Sequence, residues 1–420
     1  AQLARGDAHE PLPDGASHAN STRTPPSRYT TGMSIVVQKY GGSSVADVAK
    51  LHSVAEKVVA TRAAGHDVVV VVSAMGKTTD ELLALAREVD ASPPRRELDM
   101  LLSAGERMSM ALLSMAIQKR GAPAISFTGS QSGIITNDRH FDARIIDVRP
   151  HRVEDELHRG RVVIVAGYQG MSYKREVTTL GRGGSDTTAI AMAAALGASH
   201  AEIYSDVDGV YSADPRVVPD AQHLPELRYD EMGRMASAGA KVLHGKAVAM
   251  AREARIAIRA RSTFRPGKET HVHDDAPAPA RTQAVVGARG IAELRFARRD
   301  EGWTRALEAL AAAGVDAPFT MNGDAVNVRV RTSEAPDWGR LANELVGTHG
   351  ATLEEGRSTV TVVGGRRADV ARAVRELVPE AMDLACDEGA LRITLPQARV
   401  DAAVRALHAR LVTRDEEATP

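Results

Sequence analysis

The sequence is short of cysteine and of excess charge, and each shortage excludes a class of protein. Among 420 residues there is one cysteine, Cys386, so no intramolecular disulfide can form and a reducing compartment is favoured. Cys386 itself is predicted to be a small, buried, apolar residue. Lys and Arg number 53 against 54 Asp and Glu, a balance that lacks the basic surface of a protein that binds nucleic acid.

Long apolar runs and several familiar catalytic motifs are also missing. No uninterrupted apolar segment approaches the length of a membrane-spanning helix, so we expect no membrane partner and a cytoplasmic protein. There is no His/Cys metal cluster, no nucleophile elbow and no dinucleotide fingerprint, and the glycine-rich loops lack Walker A spacing. The sequence therefore predicts no metal site formed by its own side chains.

Apolar residues alternate between strand-like and helix-like patterns along most of the chain. Short β-branched runs, among them Val68–Val72 and Val162–Ala166, are typical of strands buried on both faces. Helical segments separate them, the longest from Arg96 to Lys119. This order predicts an α/β domain over 33–265, a three-layer αβα sandwich around a mainly parallel sheet. Ligands of such sheets bind where the strands end.

Composition divides the rest of the chain into four segments. Residues 1–32 contain proline and polar residues without apolar periodicity, and they are predicted to be a disordered extension. Prolines mark 266–284 as a linker. Residues 285–414 are predicted to form tandem small α+β units of the βαββαβ type, and 415–420 a disordered tail.

A polar, glycine-rich turn from Thr178 to Thr188 opens a predicted helix. Its glycines let the backbone approach a ligand, and the helix N-terminus directs free amides and a positive dipole end toward an anion. Arg182 adds a fork of donors suited to a carboxylate or a phosphate. The alternative is a flexible turn in which Ser185 or Asp186 merely caps the helix.

Two further loops with phosphate-binding character follow the first two predicted strands. In the first, Lys39–Ser44, the lysine would reach a transferring phosphate, and the alternative is a tight turn with a solvated lysine. The second, Ser73–Asp80, repeats the pattern, and Thr78 or Thr79 is expected to cap the helix that follows.

Acidic and basic residues elsewhere are compatible with substrate or nucleotide binding. Glu106, in a methionine-rich helix, would hold an ammonium group, although a solvated carboxylate paired with a nearby arginine is the better interpretation of the pattern alone. Beyond the strand that ends near Ser205, Tyr211 would flank the base or ribose of a nucleotide, while Arg216 and Lys241 would neutralise its phosphates. A simple hairpin at Asp208-Gly209 is the alternative.

Together these motifs resemble aspartate kinase, a member of the amino-acid kinases, in its actinobacterial forms with C-terminal ACT domains. The likeness runs almost continuously from residue 33 to 266, with its motifs in the right order and spacing. The segments that carry it are Lys39–Ser44, Ser73–Asp80, Leu101–Arg107, Phe127–Gly129, Val177–Ala189, Ser205–Val218 and Gly239–His244.

The resemblance implies an amino-acid kinase fold followed by two ACT-like domains that support a homo-oligomer. It also implies phosphorylation of the β-carboxylate of L-aspartate by ATP, giving 4-phospho-L-aspartate. This is the first step toward lysine, threonine, methionine and isoleucine, or toward a specialised metabolite made from aspartate semialdehyde. Mg²⁺ would arrive mainly on the ATP phosphates.

The resemblance further implies roles for individual residues. Lys39 would stabilise the transferring phosphoryl group and Asp186 would position the reacting groups; a base is not needed, because the acceptor carboxylate is already ionised. The residues implied to hold aspartate are Ser73, Thr79, Glu106, Arg182 and Ser185. Those implied to bind ATP are Lys39, Gly41, Gly42, Ser43, Ser205, Asp206, Tyr211, Arg216 and Lys241.

Both effector loops of the ACT-like region depart from the family pattern. The first, 299–302, has lost the family's proline, and the second, 364–369, is shortened and lacks its histidine–proline–glycine. Because those loops shape the effector site, we expect feedback inhibition by lysine or threonine to be lost or altered.

Two other functions remain open. A kinase of the same fold that phosphorylates another carboxylate acceptor is disfavoured by Thr79, Glu106 and Arg182, which would recognise the amino acid. A non-catalytic ligand-binding regulator would be expected to lack Lys39 and Asp186, and both are present.

Overall fold

The structure is a computed structural model that describes residues 34–277, 282–297, 301–315, 317–335, 338–387 and 389–412. The segments predicted to be disordered, 1–32 and 415–420, lie outside the described residues, as do residues 299 and 300 of the first effector loop. The described chain has an α/β part up to residue 277 and an α+β part from residue 282.

The α/β part is built on an eight-stranded sheet. In chain order its elements are β1 (Ile35–Tyr40), α1 (Val48–Ala63), β2 (Asp67–Val72), α2 (Thr78–Val89), α3 (Arg95–Gln118), β3 (Ala124–Phe127), β4 (Ile134–Thr136), β5 (Ile145–Val148), α4 (His151–His158), β6 (Val162–Ala166), β7 (Gln169–Ser172), β8 (Val177–Thr179), α5 (Gly184–Ala195), β9 (His200–Ser205), β10 (Val210–Tyr211), β11 (His223–Leu224), β12 (Glu226–Leu227), α6 (Tyr229–Ala238), α7 (Gly245–Ala254), β13 (Ala257–Ser262) and β14 (Glu269–Val272). The sheet order is β12-β14-β13-β9-β1-β2-β6-β3, and the six strands from β13 to β3 are parallel.

Helices cover both faces of this sheet. Tyr40 and Val70 belong to a core formed with α1 and α3, whereas the side chain of Lys39, next along β1, contacts α5 on the opposite face. Alternate side chains of a strand point to opposite faces, so apolar runs are needed where both faces are covered. The predicted three-layer αβα sandwich is confirmed.

The linker predicted over 266–284 is wrong over part of its length. Residues Glu269–Val272 form β14, which pairs antiparallel with β13 and parallel with β12, so the main sheet extends beyond residue 265. Pro266 and Gly267, which indicate a boundary in the sequence, belong to the turn that reverses the chain between β13 and β14. Gly267 has φ +117 there, a conformation that favours glycine.

A second, four-stranded sheet lies in the α/β part and was not predicted. Its order is β5-β4-β7-β8, and its strands are only three or four residues long. Strands this short carry little periodicity, which explains why the sequence pattern does not reveal them. The last of them, β8, leads directly into the glycine-rich turn before α5.

The α+β part consists of two interlocked βαββαβ units. Its elements are β15 (Thr282–Ala297), α8 (Gly302–Ala312), β16 (Phe319–Asn322), β17 (Ala325–Arg331), α9 (Trp338–Gly347), β18 (Thr352–Gly364), α10 (Arg367–Leu377), β19 (Asp383–Asp387), β20 (Ala390–Pro396) and α11 (Val400–Leu411). The second half of β15 begins the first unit, which ends in the start of β18. The first half of β15 pairs with the rest of β18 and supplies the outer strand of the second unit. The units are therefore not strictly tandem.

Helix α3 is the one segment among the described residues that is long and apolar enough to cross a membrane. Half of its apolar window is buried inside the protein, and it carries the buried carboxylates of Asp99 and Glu106. The core helix of a soluble protein has the same length and composition.

Cys386 is exposed, so the prediction that it is buried is wrong. It lies in β19, the last strand at one edge of the six-stranded sheet. An edge strand has a neighbour on one side only, which leaves part of its side chains in contact with solvent.

A buried polar cluster joins β1, β9 and β13 beneath the carboxyl ends of these strands. The Glu202 carboxylate accepts hydrogen bonds from Gln38 Nε2 (2.8 Å) and the Tyr204 hydroxyl (3.1 Å), and it pairs with Arg261 (2.5 Å). Burial alone would raise the pKa of Glu202, but the nearby His200 ring, with Nε2 3.6 Å from Oε1, and the charge of Arg261 outweigh it and lower the pKa to about 2.

We predict that Glu202→Gln destabilises the protein by about 3 kcal/mol at pH 7, because it removes a carboxylate whose pKa lies about two units below the unfolded value, at about 1.4 kcal/mol per unit. Arg261 keeps its ion pair with Glu269 in this variant. The folded-state pKa lies below the unfolded value of about 4.3, so the carboxylate stabilises the fold above that pH and loses its effect as the pH falls toward 2. The difference in denaturant midpoint between the variant and wild type should therefore be smaller at pH 3 than at pH 7. Glu56→Gln, at an exposed position of α1, is the control.

Candidate active site

The loops after β1, β2 and β9 meet at the carboxyl edge of the main sheet. Backbone hydrogen bonds join them: Gly41 N–H donates to Tyr204 O (3.3 Å), Ser73 N–H to Tyr40 O (3.1 Å) and Gly76 N–H to Gly42 O (3.0 Å). These bonds follow from the parallel order β9-β1-β2, which brings three strand ends side by side. The two predicted phosphate loops therefore form one surface.

Lys39 and Asp186 form an ion pair at the centre of this edge. Lys39 Nζ lies 2.6 Å from Asp186 Oδ1, and the two side chains are only 12% and 11% exposed. The alternative of a solvated lysine is wrong, because the end of β1 lies against the first turn of α5. The pair therefore places one cation and one carboxylate together beside the glycine turn.

The backbone at Gly42 lies too close to the neighbouring loop for a side chain. A Cβ at this position would be 2.8 Å from Ala74 O and 3.1 Å from Gly76 O. Gly41 is similarly close to the reactive centre, since its Cβ would be 3.4 Å from Lys39 Nζ. Ser43 follows at an exposed position. This region offers backbone groups rather than side chains to a ligand.

Helix α5 begins with open amides. Its N-cap is Gly183, at φ +71, and no side chain caps it, so the prediction of a cap by Ser185 or Asp186 is wrong. In the part of the chain that the structure describes, the amides of Ser185 and Asp186 donate to no acceptor. Arg182, exposed at the tip of the turn, has no ion-pair partner among the same residues. The turn therefore presents an anion-binding set of donors.

Glu106 is buried in α3 and points at the loop after β2. It is 3% exposed, its Oε1 accepts the Ala74 amide (3.1 Å), and its Oε2 has no partner among the described residues. The sequence interpretation of a solvated, arginine-paired carboxylate is wrong. Gly105 permits the approach, since a Cβ there would lie 2.7 Å from that of Ala74. Burial raises the pKa of Glu106 to about 7, outweighing hydrogen bonds that lower it.

The three predicted hydroxyl residues lie around the same edge. Ser185 lies against the end of β6, where a Cβ on Gly167 would be 2.9 Å from its Oγ. Ser73 begins the loop after β2, and Thr79 lies in the first turn of α2. The N-cap of α2 is Lys77 without a side-chain cap, so the predicted capping by Thr78 or Thr79 is wrong; the Thr78 hydroxyl instead donates to Met75 O (2.7 Å).

The other predicted nucleotide residues lie at the end of β9 or beyond it. Ser205 ends that strand and Asp206 follows it in an exposed turn, while the Tyr211 hydroxyl donates to Asp208 Oδ1 (2.9 Å). Arg216 forms a two-pronged pair with Asp214, with Nε–Oδ1 at 3.0 Å and an N–O distance of 2.7 Å.

Two positive charges of this region act on the Asp214 carboxylate. The hydrogen bond from the Arg216 side chain is the main cause that lowers the pKa of Asp214; burial opposes it with a smaller effect, and the charge of Lys241 adds the weakest lowering effect. Lys241 is exposed. Arg216 is therefore held by the Asp214 carboxylate, and Lys241 lies within electrostatic range of the same carboxylate.

Residues 34–261 match the sequence profile of the amino acid kinase family, which is more than half of the chain. The chain belongs to the amino acid kinase family. Curated relatives include aspartokinases from Mycolicibacterium smegmatis, 58% identical over 238 residues, and Mycobacterium tuberculosis strain H37Rv, 60% identical over 238 residues. Each match covers 56% of this chain and 56% of the relative, so the chain matches about half the length of these curated relatives.

Solved structures extend the likeness of this amino acid kinase over most of the chain. Aspartokinase III from E. coli, in complex with aspartate and ADP, covers 90% of this chain and is itself covered completely, with 25% identity and a TM-score of 0.78. Aspartate kinase from Synechocystis is 32% identical with a TM-score of 0.53, over 92% of this chain and 71% of that one.

Two further side chains of this amino acid kinase contact the glycine turn and were not among the predicted site residues. The His244 ring packs on Gly183, where a Cβ would overlap it. Tyr168 follows β6 with φ +67, and its ring lies 2.9 Å from the position of a Cβ on Gly184. Only Gly167 separates Tyr168 from the buried strand β6, so the rule that ligands bind at strand ends would have drawn attention to it.

Proposed function

We propose that the protein is an aspartate kinase, which transfers the terminal phosphoryl group of ATP to the β-carboxylate of L-aspartate. The observation that carries this proposal is the arrangement around the Lys39–Asp186 pair. A turn with free donors for an anion lies on one side, and Glu106 carries a buried, unpaired carboxylate oxygen at the same edge. An α-amino acid carries both an anionic and a cationic group and would match these two features. The similarity to aspartokinases supports L-aspartate as that amino acid.

The acceptor would be held by its two charged α-substituents. Arg182 would bind the α-carboxylate, since its guanidinium is exposed and has no ion-pair partner among the described residues. Glu106 would bind the ammonium group through the free Oε2. Ser73, Thr79 and Ser185 would supply hydroxyl groups between them. The β-carboxylate would then point toward Lys39.

ATP would approach from the end of β9. Gly41, Gly42 and Ser43 would line its phosphates, and Ser205, Asp206 and Tyr211 its nucleoside. Arg216 and Lys241 would contact the outer phosphates, which requires that Arg216 exchange Asp214 for the nucleotide. The donor set fits Mg-ATP, because Lys39 supplies a positive charge and the glycine backbone at Gly41 and Gly42 lets phosphates approach closely. Mg²⁺ would be bound mainly through the phosphates and would neutralise part of their charge.

The chain contributes positioning and charge rather than acid–base chemistry. A β-carboxylate is ionised at neutral pH and needs no base before it attacks the γ-phosphorus. The bond from that phosphorus to the ADP oxygen breaks as the new bond to the carboxylate oxygen forms. Lys39 would stabilise charge on the transferring oxygens, and Asp186 would hold Lys39 in place.

The deciding experiment is a coupled assay of ADP release with L-aspartate, followed by hydroxylamine trapping. Aspartate-dependent ADP release that yields a hydroxamate would establish an acyl phosphate as the product. ADP release with another carboxylate, but not with aspartate, would favour a kinase for a different acceptor. Failure of all acceptors together with tight ATP or aspartate binding would favour a non-catalytic regulator.

We predict that Gly42→Ala raises the KM for ATP about tenfold or more, because the new Cβ would collide with Ala74 O and displace the phosphate-lining loop. The KM for aspartate should change less. Gly233→Ala, inside α6 with nothing within 4 Å of the new Cβ, is the matched control and should leave both constants unchanged.

Oligomerisation, location and regulation stay predictions. Exposed apolar side chains on the two edge strands of the six-stranded sheet, among them Phe319, Met321 and Leu384, support self-association through this part. A cytoplasmic location is expected. Loss or change of feedback control also stays a proposal, and inhibition by micromolar lysine plus threonine would contradict it.

A further inference from the structure

The loop between β4 and β5 connects the active-site turn with the C-terminal part of the chain. On one side, the Ala143 amide donates to Thr179 O (2.8 Å) at the end of β8, immediately before the glycine turn. On the other side, the Arg139 guanidinium donates to the carbonyl groups of Ala311 and Ala312 at the end of α8. The loop therefore contacts both parts of the molecule.

Asp142 lies at the point where these contacts converge. Its side chain is 10% exposed, and its Oδ1 is 2.8 Å from Lys246 Nζ on α7. A Cβ on Gly181 would be 2.7 Å from this oxygen, and a Cβ on Gly314 would overlap Oδ2. One carboxylate therefore packs between the first glycine of the active-site turn and the glycine that follows α8.

Hydrogen bonds to the buried Asp99 hold the rest of the loop. Asp99, buried in α3, accepts hydrogen bonds from His140 Nδ1 (2.6 Å) and the Phe141 amide (3.0 Å). The same carboxylate accepts the Thr179 hydroxyl (2.6 Å). Phe141 has φ +73, an unusual conformation for a residue with a side chain, which these bonds maintain.

We propose that Asp142 is a positioning residue, which fixes the turn of Gly181–Gly183 and makes its geometry depend on the C-terminal part through Gly314. It does not touch the substrate. It would act on Arg182 and on the open amides of α5, which follow Gly181 directly. The identity of the affected ligand, aspartate, rests on the proposed function.

The carboxylate is tested by Asp142→Asn, with Asp138→Asn as the matched control. The asparagine keeps the shape but loses the ion pair with Lys246. Asp138 lies in the same loop and is bound by Lys174 and Tyr173. We expect Asp142→Asn to raise the KM for aspartate about tenfold, with little change in the KM for ATP, and Asp138→Asn to change neither.

The connection to the C-terminal part is tested by Gly314→Ala, with Gly323→Ala as its control. Both glycines have positive φ, +80 and +57, so both variants carry similar backbone strain. Only at Gly314 would the new Cβ meet Asp142; nothing lies within 4 Å at Gly323. Gly314→Ala should reproduce the selective rise in the KM for aspartate, and Gly323→Ala should not.

Hydrogen exchange of peptides covering 178–188 gives a readout independent of turnover. Two results together support the proposal. Exchange in these peptides should be faster in Asp142→Asn and Gly314→Ala at an unchanged unfolding midpoint, and the KM for aspartate should rise selectively. An unchanged KM for aspartate overturns the proposal. So does an equal impairment of kcat and of both KM values together with a lowered unfolding midpoint. If the wild-type protein does not phosphorylate aspartate, the proposed function fails. Exchange then decides alone: faster exchange supports the positioning role and unchanged exchange overturns it.

Discussion

The Lys39→Met variant should lose about a thousandfold in kcat while its KM for aspartate changes little. Lys39 would meet charge that develops on the transferring phosphoryl group, and loss of one such donor lowers rates about 10²–10³-fold. The variant also leaves the carboxylate of Asp186, 11% exposed, without its partner at 2.6 Å. Steady-state kinetics with saturating ATP measure the effect.

The control for this variant is Lys77→Met, which removes an exposed lysine from the neighbouring loop. It should retain wild-type kcat. Removal of Lys39 leaves the buried carboxylate of Asp186 unpaired, which could lower stability. The double variant Lys39→Met/Asp186→Asn removes this charge as well, and its unfolding midpoint shows whether the fold is retained. A well-folded double variant with near wild-type turnover would contradict the role of the pair.

The Glu106→Gln variant should raise the KM for aspartate about a hundredfold and leave the KM for ATP unchanged. The glutamine can still accept the Ala74 amide, but it cannot form a charged hydrogen bond to an ammonium group, which contributes about 1.5–3 kcal/mol. Glu97→Gln, at an exposed position of the same helix, is the control. An unchanged KM for aspartate in Glu106→Gln would remove this residue from the acceptor site.

The pH dependence of wild type provides a second test of Glu106. Its pKa of about 7 means that half of the free enzyme carries a protonated, neutral Glu106 near that pH. For wild type, kcat/KM for aspartate should therefore rise with pH, about tenfold per unit below 7, and level off above it. This limb should be absent in Glu106→Gln.

The same pKa shift of Glu106 predicts that stability falls as the pH rises, whereas kcat/KM for aspartate rises. The folded-state pKa, about 7, lies above the unfolded value of about 4.3, so folding favours the protonated form. The contribution of Glu106 to stability is most favourable below pH 4.3, falls as the pH rises to 7, and is constant above. Between pH 5 and pH 8, wild type should lose more stability than Glu106→Gln.

The sequence predicted the parallel architecture because buried strands and their helices carry strong local patterns. Val68–Val72 and Val162–Ala166 are apolar on both faces, and the structure places both inside the main sheet. The short strands β4, β5, β7 and β8 were missed because three or four residues hold too little pattern. The course of β15 was missed for another reason, since pairing between distant strands leaves no local signal.

Motifs indicated which side chains to consider, but not their surroundings. Glu106 follows a glycine in a helix whose polar face looks solvated, and only the approach of that glycine to Ala74 buries its carboxylate. The open N-terminus of α5 is a similar case, because Ser185 and Asp186 are good capping residues by type. In the fold both lie beyond the cap, and Asp186 turns to Lys39 instead.

The sequence by itself determined the alternation of strand and helix, the family resemblance and the set of candidate site residues, because these depend on local pattern and spacing. Only the tertiary structure decided that Lys39 and Asp186, far apart in the chain, form one ion pair. It also decided that Glu106 keeps an unpaired oxygen and that Asp142 connects the active-site turn to Gly314. Such contacts arise from packing between distant segments, which no local pattern records.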